Sequence, residues 1–251
     1  MRGFFTFYYD CPACKAVLSG KQHDMLGVNC TELYSDGKMI CDEYLSAPQL
    51  LVRCPSCSYL FWTKYPNHCS EEKMTTPVDK TSVYPYSSWY LFGANTTRSL
   101  GKFALIKQLE KAIATLRPLN ADQELYLRKQ LLWAFNDLVR VTYKSGFWSF
   151  LKGELSFSAW RHVHRQRLRE KLFFIWRSDT YKSNIKRIIE LIRSSADKEV
   201  DKVYIAELYR LKGNFSRSIE ILDELHRATH YANLIRERAT KKNPAVFKVA
   251  G

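Results

Sequence analysis

Hydrophobic and polar positions along the chain change their period near residue 100. Before it, apolar and aromatic residues come in short runs such as FFTFYY, LLVR and YLFW, separated by Cys-Pro, Ser-Gly and Asp-Gly steps. Runs of that length and composition, bounded by turn residues, predict strands and tight turns over residues 1–65. Residues 66–100 are rich in Pro, Ser, Thr, Asn and Tyr, and Pro66, Pro77 and Pro85 exclude a long helix there. The scattered aromatics of that stretch predict a packed connector.

Beyond residue 100 the spacing becomes helical. Phe103, Ile106, Leu109, Ile113 and Leu116 form one apolar stripe that ends at Pro118. Asn120 is placed to cap a second helix over 121–144, with Leu125, Leu131, Leu132, Phe135, Leu138 and Val139 inward. Gly146 and Gly153 mark a loop, and Ser158 can cap a third helix that buries Trp160, Val163, Leu168, Leu172, Ile175 and Trp176. Further helices are predicted at roughly 180–195, 198–212 and 216–238, and short loops between them point to stacked helical hairpins.

The 251 residues are 46% hydrophobic and 14% aromatic, enough for buried cores. No run of eighteen apolar residues occurs, so no transmembrane segment is expected. The opening MRGFFTFYYD reaches Asp10 and a Cys-Pro step without the apolar core of a signal peptide, which predicts a cytoplasmic protein.

Cysteine spacing carries the sharpest chemistry. Four of the seven cysteines fall in two Cys-Pro-x-Cys turns, Cys11-Pro-Ala-Cys14 and Cys54-Pro-Ser-Cys57. Two intervening residues let one tight turn present both thiolates to one ion, and two such turns from separate hairpins complete a tetrahedron. A closed set of four thiolates leaves no position for a substrate water, so one structural Zn2+ is expected at Cys11, Cys14, Cys54 and Cys57. A redox Cys-x-x-Cys would need only one pair, within a βαβ pattern. The 39 residues between the pairs exceed ordinary ribbon spacing and imply an inserted strand or loop. His23, Cys30, Cys41, His68 and Cys69 match no standard ligand spacing.

The net charge of +14 lies wholly in residues 101–251, because acidic and basic residues balance over 1–100. Residues 160–193 hold ten basic side chains against Glu170, Asp179 and Glu190. Arg161, His162, Arg165 and Arg169 recur at three- and four-residue steps on one helix face, followed by Arg177, Lys186 and Arg187. Such a stripe suits phosphates or an acidic protein surface, and its excess of Arg over Lys favours bidentate recognition. A solvated face that supplies solubility has the same composition. The chain has no GxxxxGK[ST], GxSxG or HExxH motif and no helix-turn-helix or RNA-recognition signature, so neither catalysis nor a small-molecule substrate is expected.

The segment from Tyr204 to Leu222 resembles a tetratricopeptide repeat. Ala206 stands at the small helix-contact position, Tyr209 at an aromatic one and Gly213 at the interhelical turn. Phe215 matches the turn aromatic, Ser218 the small residue of the second helix and Leu222 a large apolar one. Membership would imply a concave groove for a peptide or partner protein.

The order of features is similar to a group of poorly characterised bacterial proteins that begin with a Cys-Pro-x-Cys zinc ribbon and continue into tetratricopeptide-like helices. The matching words are CPAC, Ser19-Gly20, Tyr34-Ser-Asp-Gly-Lys38, Leu51-Val-Arg-Cys-Pro-Ser-Cys57, Phe61-Trp62 and Leu132-Trp133…Asn136-Asp137…Arg140. This resemblance implies an architecture and brings no activity with it.

The expected fold class is therefore α+β. A β-rich zinc ribbon over 1–65 and the connector over 66–100 precede a basic, all-α, tetratricopeptide-like domain over 101–251. The function expected first is a non-enzymatic adaptor that binds a partner protein through its helices. The alternative is a nucleic-acid-binding accessory protein that uses the basic face around 161–193.

Overall fold

The computed structural model describes residues 4–23, 30–41, 51–54, 56–62, 83–86, 99–116, 119–140, 175, 177–195, 199–227 and 229–250. It is an α+β protein, with most strands in the N-terminal region and six helices after residue 98 among the described residues. The chain divides into two compact units. One comprises Met1–Thr31 with Met39–Thr97, and the other comprises Glu32–Lys38 with Arg98–Gly251.

In the first unit, β1 (Phe4–Asp10) and β2 (Val17–His23) form an antiparallel hairpin, with Asp10 opposite Val17. A short strand from the predicted connector, β7 (Val83–Tyr86), runs parallel to β2 on its other side, in the order β1-β2-β7. Pro85 sits in this edge strand, where a missing N–H is tolerated. Beyond β3 (Cys30–Tyr34) and β4 (Met39–Cys41) in the chain, a second antiparallel hairpin joins β5 (Leu51–Arg53) to β6 (Leu60–Trp62). Leu18 packs with Cys11 and Cys54 in a small core, flanked by Ala16 and Phe61.

The second unit holds α1 (Ser99–Thr115), α2 (Ala121–Arg140), α3 (Asp179–Ser195), α4 (Glu199–Leu211), α5 (Phe215–Asp223) and α6 (His230–Thr240). Asn120 caps α2, as the sequence predicts, and Gln123 completes a reciprocal capping box (Gln123 N–H to Asn120 Oδ1, 2.8 Å; Asn120 N–H to Gln123 Oε1, 3.2 Å). Burial follows most of the predicted stripes, although Leu116 and Leu125 are only half-buried and Leu127 takes a buried place on α2. Ile106, Leu109 and Ile113 face Leu131, Leu132, Phe135, Leu138 and Val139 in the core, and Tyr181, Ile185, Ile188 and Ile192 extend it.

The helix predicted over 216–238 is two helices. Glu224 closes α5, and the Thr229 hydroxyl caps α6 by accepting from the Ala232 N–H (3.1 Å). A continuous apolar period hid the break, because Ile221, Leu222, Ala232 and Ile235 are all buried on either side of it. The third helix expected after Ser158 and the end of the helix expected to reach 144 lie outside the described residues.

Candidate metal centre

Each cysteine pair occupies the turn of one hairpin, and the two turns have the same internal geometry. In the first, Cys11 N–H donates to the Ala16 carbonyl (2.9 Å) and Lys15 N–H to the Cys11 carbonyl (2.9 Å). In the second, Cys54 N–H donates to the Tyr59 carbonyl (2.8 Å) and Ser58 N–H to the Cys54 carbonyl (2.8 Å). The residue four places after the first cysteine has a left-handed backbone in both, at φ 62° for Lys15 and for Ser58. Neither is glycine, so each turn holds a conformation that side chains disfavour by about 1–2 kcal/mol. Sequence reasoning located the cysteines but gave no sign of this backbone feature, because neither position carries the glycine that would signal it.

The turns bring all four sulfurs within 4.8 Å of one another. Cys11 Sγ lies 3.6 Å from Cys57 Sγ, and Cys14 Sγ lies 3.5 Å from Cys54 Sγ. A zinc tetrathiolate with bonds of about 2.3 Å has sulfur–sulfur edges of about 3.8 Å. The four cysteines are thus positioned to hold one metal ion, with Cys11 and Cys54 buried and Cys14 and Cys57 exposed.

The acidities of the thiols differ across the cluster. A backbone N–H at Ala16 and hydrogen bonds from the neighbouring sulfurs hold Cys14 down at about 7. Burial pushes Cys54 up, against the opposing N–H groups of Cys57 and Ser56. Cys57 rises to about 12, because desolvation and the adjacent sulfurs outweigh the Tyr59 N–H that lowers it. Cys54 and Cys57 thus resist ionisation, and a divalent ion would offset that by neutralising the thiolates as they form.

The helical unit contains a second polar construction, built around the turn from Glu32 to Lys38. Tyr34 N–H donates to the Lys38 carbonyl (3.0 Å), Gly37 N–H donates to the Tyr34 carbonyl (2.9 Å), and Gly37 takes φ 76°. This is a tight hairpin turn that needs glycine at its left-handed position. At its apex Ser35 and Asp36 are fully buried.

Helices α2, α4 and α6 all bond to that apex. Asn136 Nδ2 donates to Asp36 Oδ2 (2.8 Å), and Arg140 pairs with the same oxygen. Trp133 Nε1 (3.0 Å) and the Tyr204 hydroxyl (3.3 Å) donate to the Asp36 carbonyl. The Tyr231 hydroxyl donates to the Ser35 carbonyl. Lys38 Nζ reaches Asp137 (2.5 Å), and Arg140 also pairs with Asp137 (2.6 Å), the ion pair expected at this helical spacing. The Arg140 guanidinium lies 4.4 Å from the Tyr34 ring centre. Burial and a hydrogen bond to Glu32 raise the Tyr34 hydroxyl to about 12.

Behind the turn, Arg210 forms a bidentate pair with Glu207 (2.6 and 2.7 Å), and both are fully buried. Burial raises the Glu207 carboxyl above its ordinary range, opposed by Arg210 and by the Ser35 hydroxyl. The C-terminal strand β8 (Lys248–Ala250) pairs with β3 (Cys30–Tyr34), and Ser35 N–H donates to the Phe247 carbonyl (2.8 Å).

Compared with known protein families, curated proteins and solved structures, the chain matches none. The geometry therefore stands alone.

Of the predicted basic face, Arg161, His162, Arg165 and Arg169 lie outside the described residues. Arg177 and Lys186 are exposed on or beside α3. Arg187 is held by Glu124 on α2 (2.7 Å) and by Glu190 (3.3 Å). No described helix is long and apolar enough to cross a membrane.

Proposed function

We infer that the protein is a zinc-stabilised, non-enzymatic adaptor that binds a partner protein through its helical unit. The observation that carries this reading is the closed set of four sulfurs, which matches a structural zinc site and offers no open coordination position. The buried ionisable groups of the helical unit support it. Asp36, Glu207, Arg140 and Arg210 are bonded to one another, to backbone carbonyls and to Asn136, as structural groups are. The α4–α5 hairpin supports a tetratricopeptide-like surface. Ala206 and Ser218 are buried at 0% exposure, and Gly213 takes φ 87°. Gly213 N–H bonds to the Arg210 carbonyl and Asn214 N–H to the Tyr209 carbonyl, which ends α4 in a Schellman motif. A thiol-rich metal site suits a reducing compartment such as the cytoplasm.

Affinity capture of the full chain, with and without nuclease, tests the reading. An adaptor retains a protein partner in fixed stoichiometry after nuclease treatment. The second reading, a nucleic-acid accessory protein, draws support from the exposed Arg177 and Lys186. It predicts material with high absorbance at 260 nm and salt-sensitive retention on heparin. That retention should vanish in the Arg161→Glu, Arg165→Glu, Arg169→Glu triple variant, and its survival there removes the second reading.

A further inference from the structure

The Glu32–Lys38 turn belongs to the helical unit, yet it lies in the chain between the two halves of the cysteine site. Seventeen residues separate it from Cys14 and fifteen separate it from Cys54. In the assembled site, the sulfurs of those two cysteines stand 3.5 Å apart. A metal ion at this site therefore closes a loop whose far portion is the turn that α2, α4 and α6 hold.

Without that closure, only one end of the turn's tether leads to the helices, through the 60 residues between Lys38 and Ser99; with it, both ends of the turn are pinned to one point on that path, at Cys54 and Cys57. A segment pinned at one end has more conformational freedom to lose on docking than a loop closed at both, so the effective concentration of the turn at its docking position falls when the metal leaves. The docked state gains much from the turn. Its apex supplies the acceptors for the Trp133, Asn136, Arg140, Tyr204 and Tyr231 donors, several of them buried. Withdrawal would leave those donors unsatisfied inside the helical unit.

We propose that metal binding at the four cysteines stabilises the helical unit through the tethered Glu32–Lys38 turn, and that anchoring of the turn tightens metal binding in return. The two effects are one coupling free energy and must be reciprocal. The inference rests on the metal reading above. It places the two units under joint control of one ion: loss of metal would loosen the helices that bind the partner.

The test uses the full-length chain and zinc alone. Amide hydrogen exchange across α2, α4 and α6 is followed with zinc bound, after a chelator and after zinc is restored. Exchange there should quicken by about tenfold on metal removal, within the usual range of such couplings, and slow again on return. In the Asp36→Ala variant, exchange in those helices should no longer respond to zinc. In the reverse direction, zinc affinity measured against a chromogenic chelator should weaken by about five- to tenfold in Asp36→Ala.

If Asp36→Ala fails to fold, the milder double variant Trp133→Phe with Tyr231→Phe decides, because it removes two donors to the turn and leaves an aromatic ring at each position. Glu124→Gln, which breaks an ion pair between α2 and α3 without touching the turn, should leave zinc affinity unchanged. Zinc binding that alters exchange only in the first unit overturns the linkage and leaves the metal reading intact. A chain that takes up no zinc overturns both.

Discussion

Replacing Asp36 with alanine probes a buried residue bonded from both α2 and α4 of the helical unit. The substitution removes the acceptor of Asn136 Nδ2 (2.8 Å), the Asn136-bound oxygen that Arg140 also grips, and the acceptor of the Lys38 N–H (3.2 Å). The Arg140 side chain is only 2% exposed, so its charge would stay buried with Asp137 as its remaining carboxylate. Removing one member of a buried pair costs about 3–5 kcal/mol. Because Arg140 keeps Asp137, the lower part of that range applies, and we expect a loss of about 3 kcal/mol.

Asp137→Ala is the matched comparison. Its side chain is 21% exposed and Arg140 would retain Asp36, so the expected loss is about 1 kcal/mol. Urea titration followed by the helical circular-dichroism signal measures both. A shared unfolding slope with a clearly lower midpoint for Asp36→Ala is the expected pattern. Equal losses for the two variants, or a loss below about 1 kcal/mol for Asp36→Ala, would refute the view that the turn apex is a buried keystone of the helical unit.

Two further outcomes follow from local geometry. Hydrogen bonds from Arg187, joined by those from Arg128, hold the Glu124 carboxyl down at about 2. A carboxyl lowered in the folded state contributes stability that is complete above its unfolded value of about 4.3 and disappears as pH falls towards about 2. Glu124→Gln should thus flatten the acid limb of the stability profile between those values and cost about 1–2 kcal/mol at neutral pH, allowing for the partial exposure of Arg187. Gly213→Ala forces a side chain into φ 87° at the end of α4 and should lower stability by about 1–2 kcal/mol, read from the same urea midpoint.

The cysteine ligand set and the helical core were readable because each follows from spacing alone. Two Cys-Pro-x-Cys turns define a ligand set, and apolar stripes at helical period define the buried faces that Ile106, Leu109, Leu131 and Phe135 occupy. The break between α5 and α6 was not readable, since Thr229 is an ordinary capping residue within an uninterrupted apolar period.

The partition of the chain was harder still. Tyr34-Ser-Asp-Gly-Lys38 announces a turn, and its composition does not say that Asp36 is buried against helices a hundred residues away. Only the resemblance drew that word and Trp133…Asn136-Asp137…Arg140 into one set, and in the structure they meet. Long-range pairing of polar groups leaves no periodicity in a sequence, so coordinates are needed to see it.

The ligand set itself is open to one direct measurement: metal content of the purified full-length chain, by elemental analysis alongside native mass spectrometry. One zinc per chain is expected, falling well below that in Cys54→Ser, because three thiolates cannot complete the site. Zinc far below one per chain in the unaltered protein, or a full equivalent retained when Cys54 is replaced, would contradict the assignment of Cys11, Cys14, Cys54 and Cys57 as a structural zinc site.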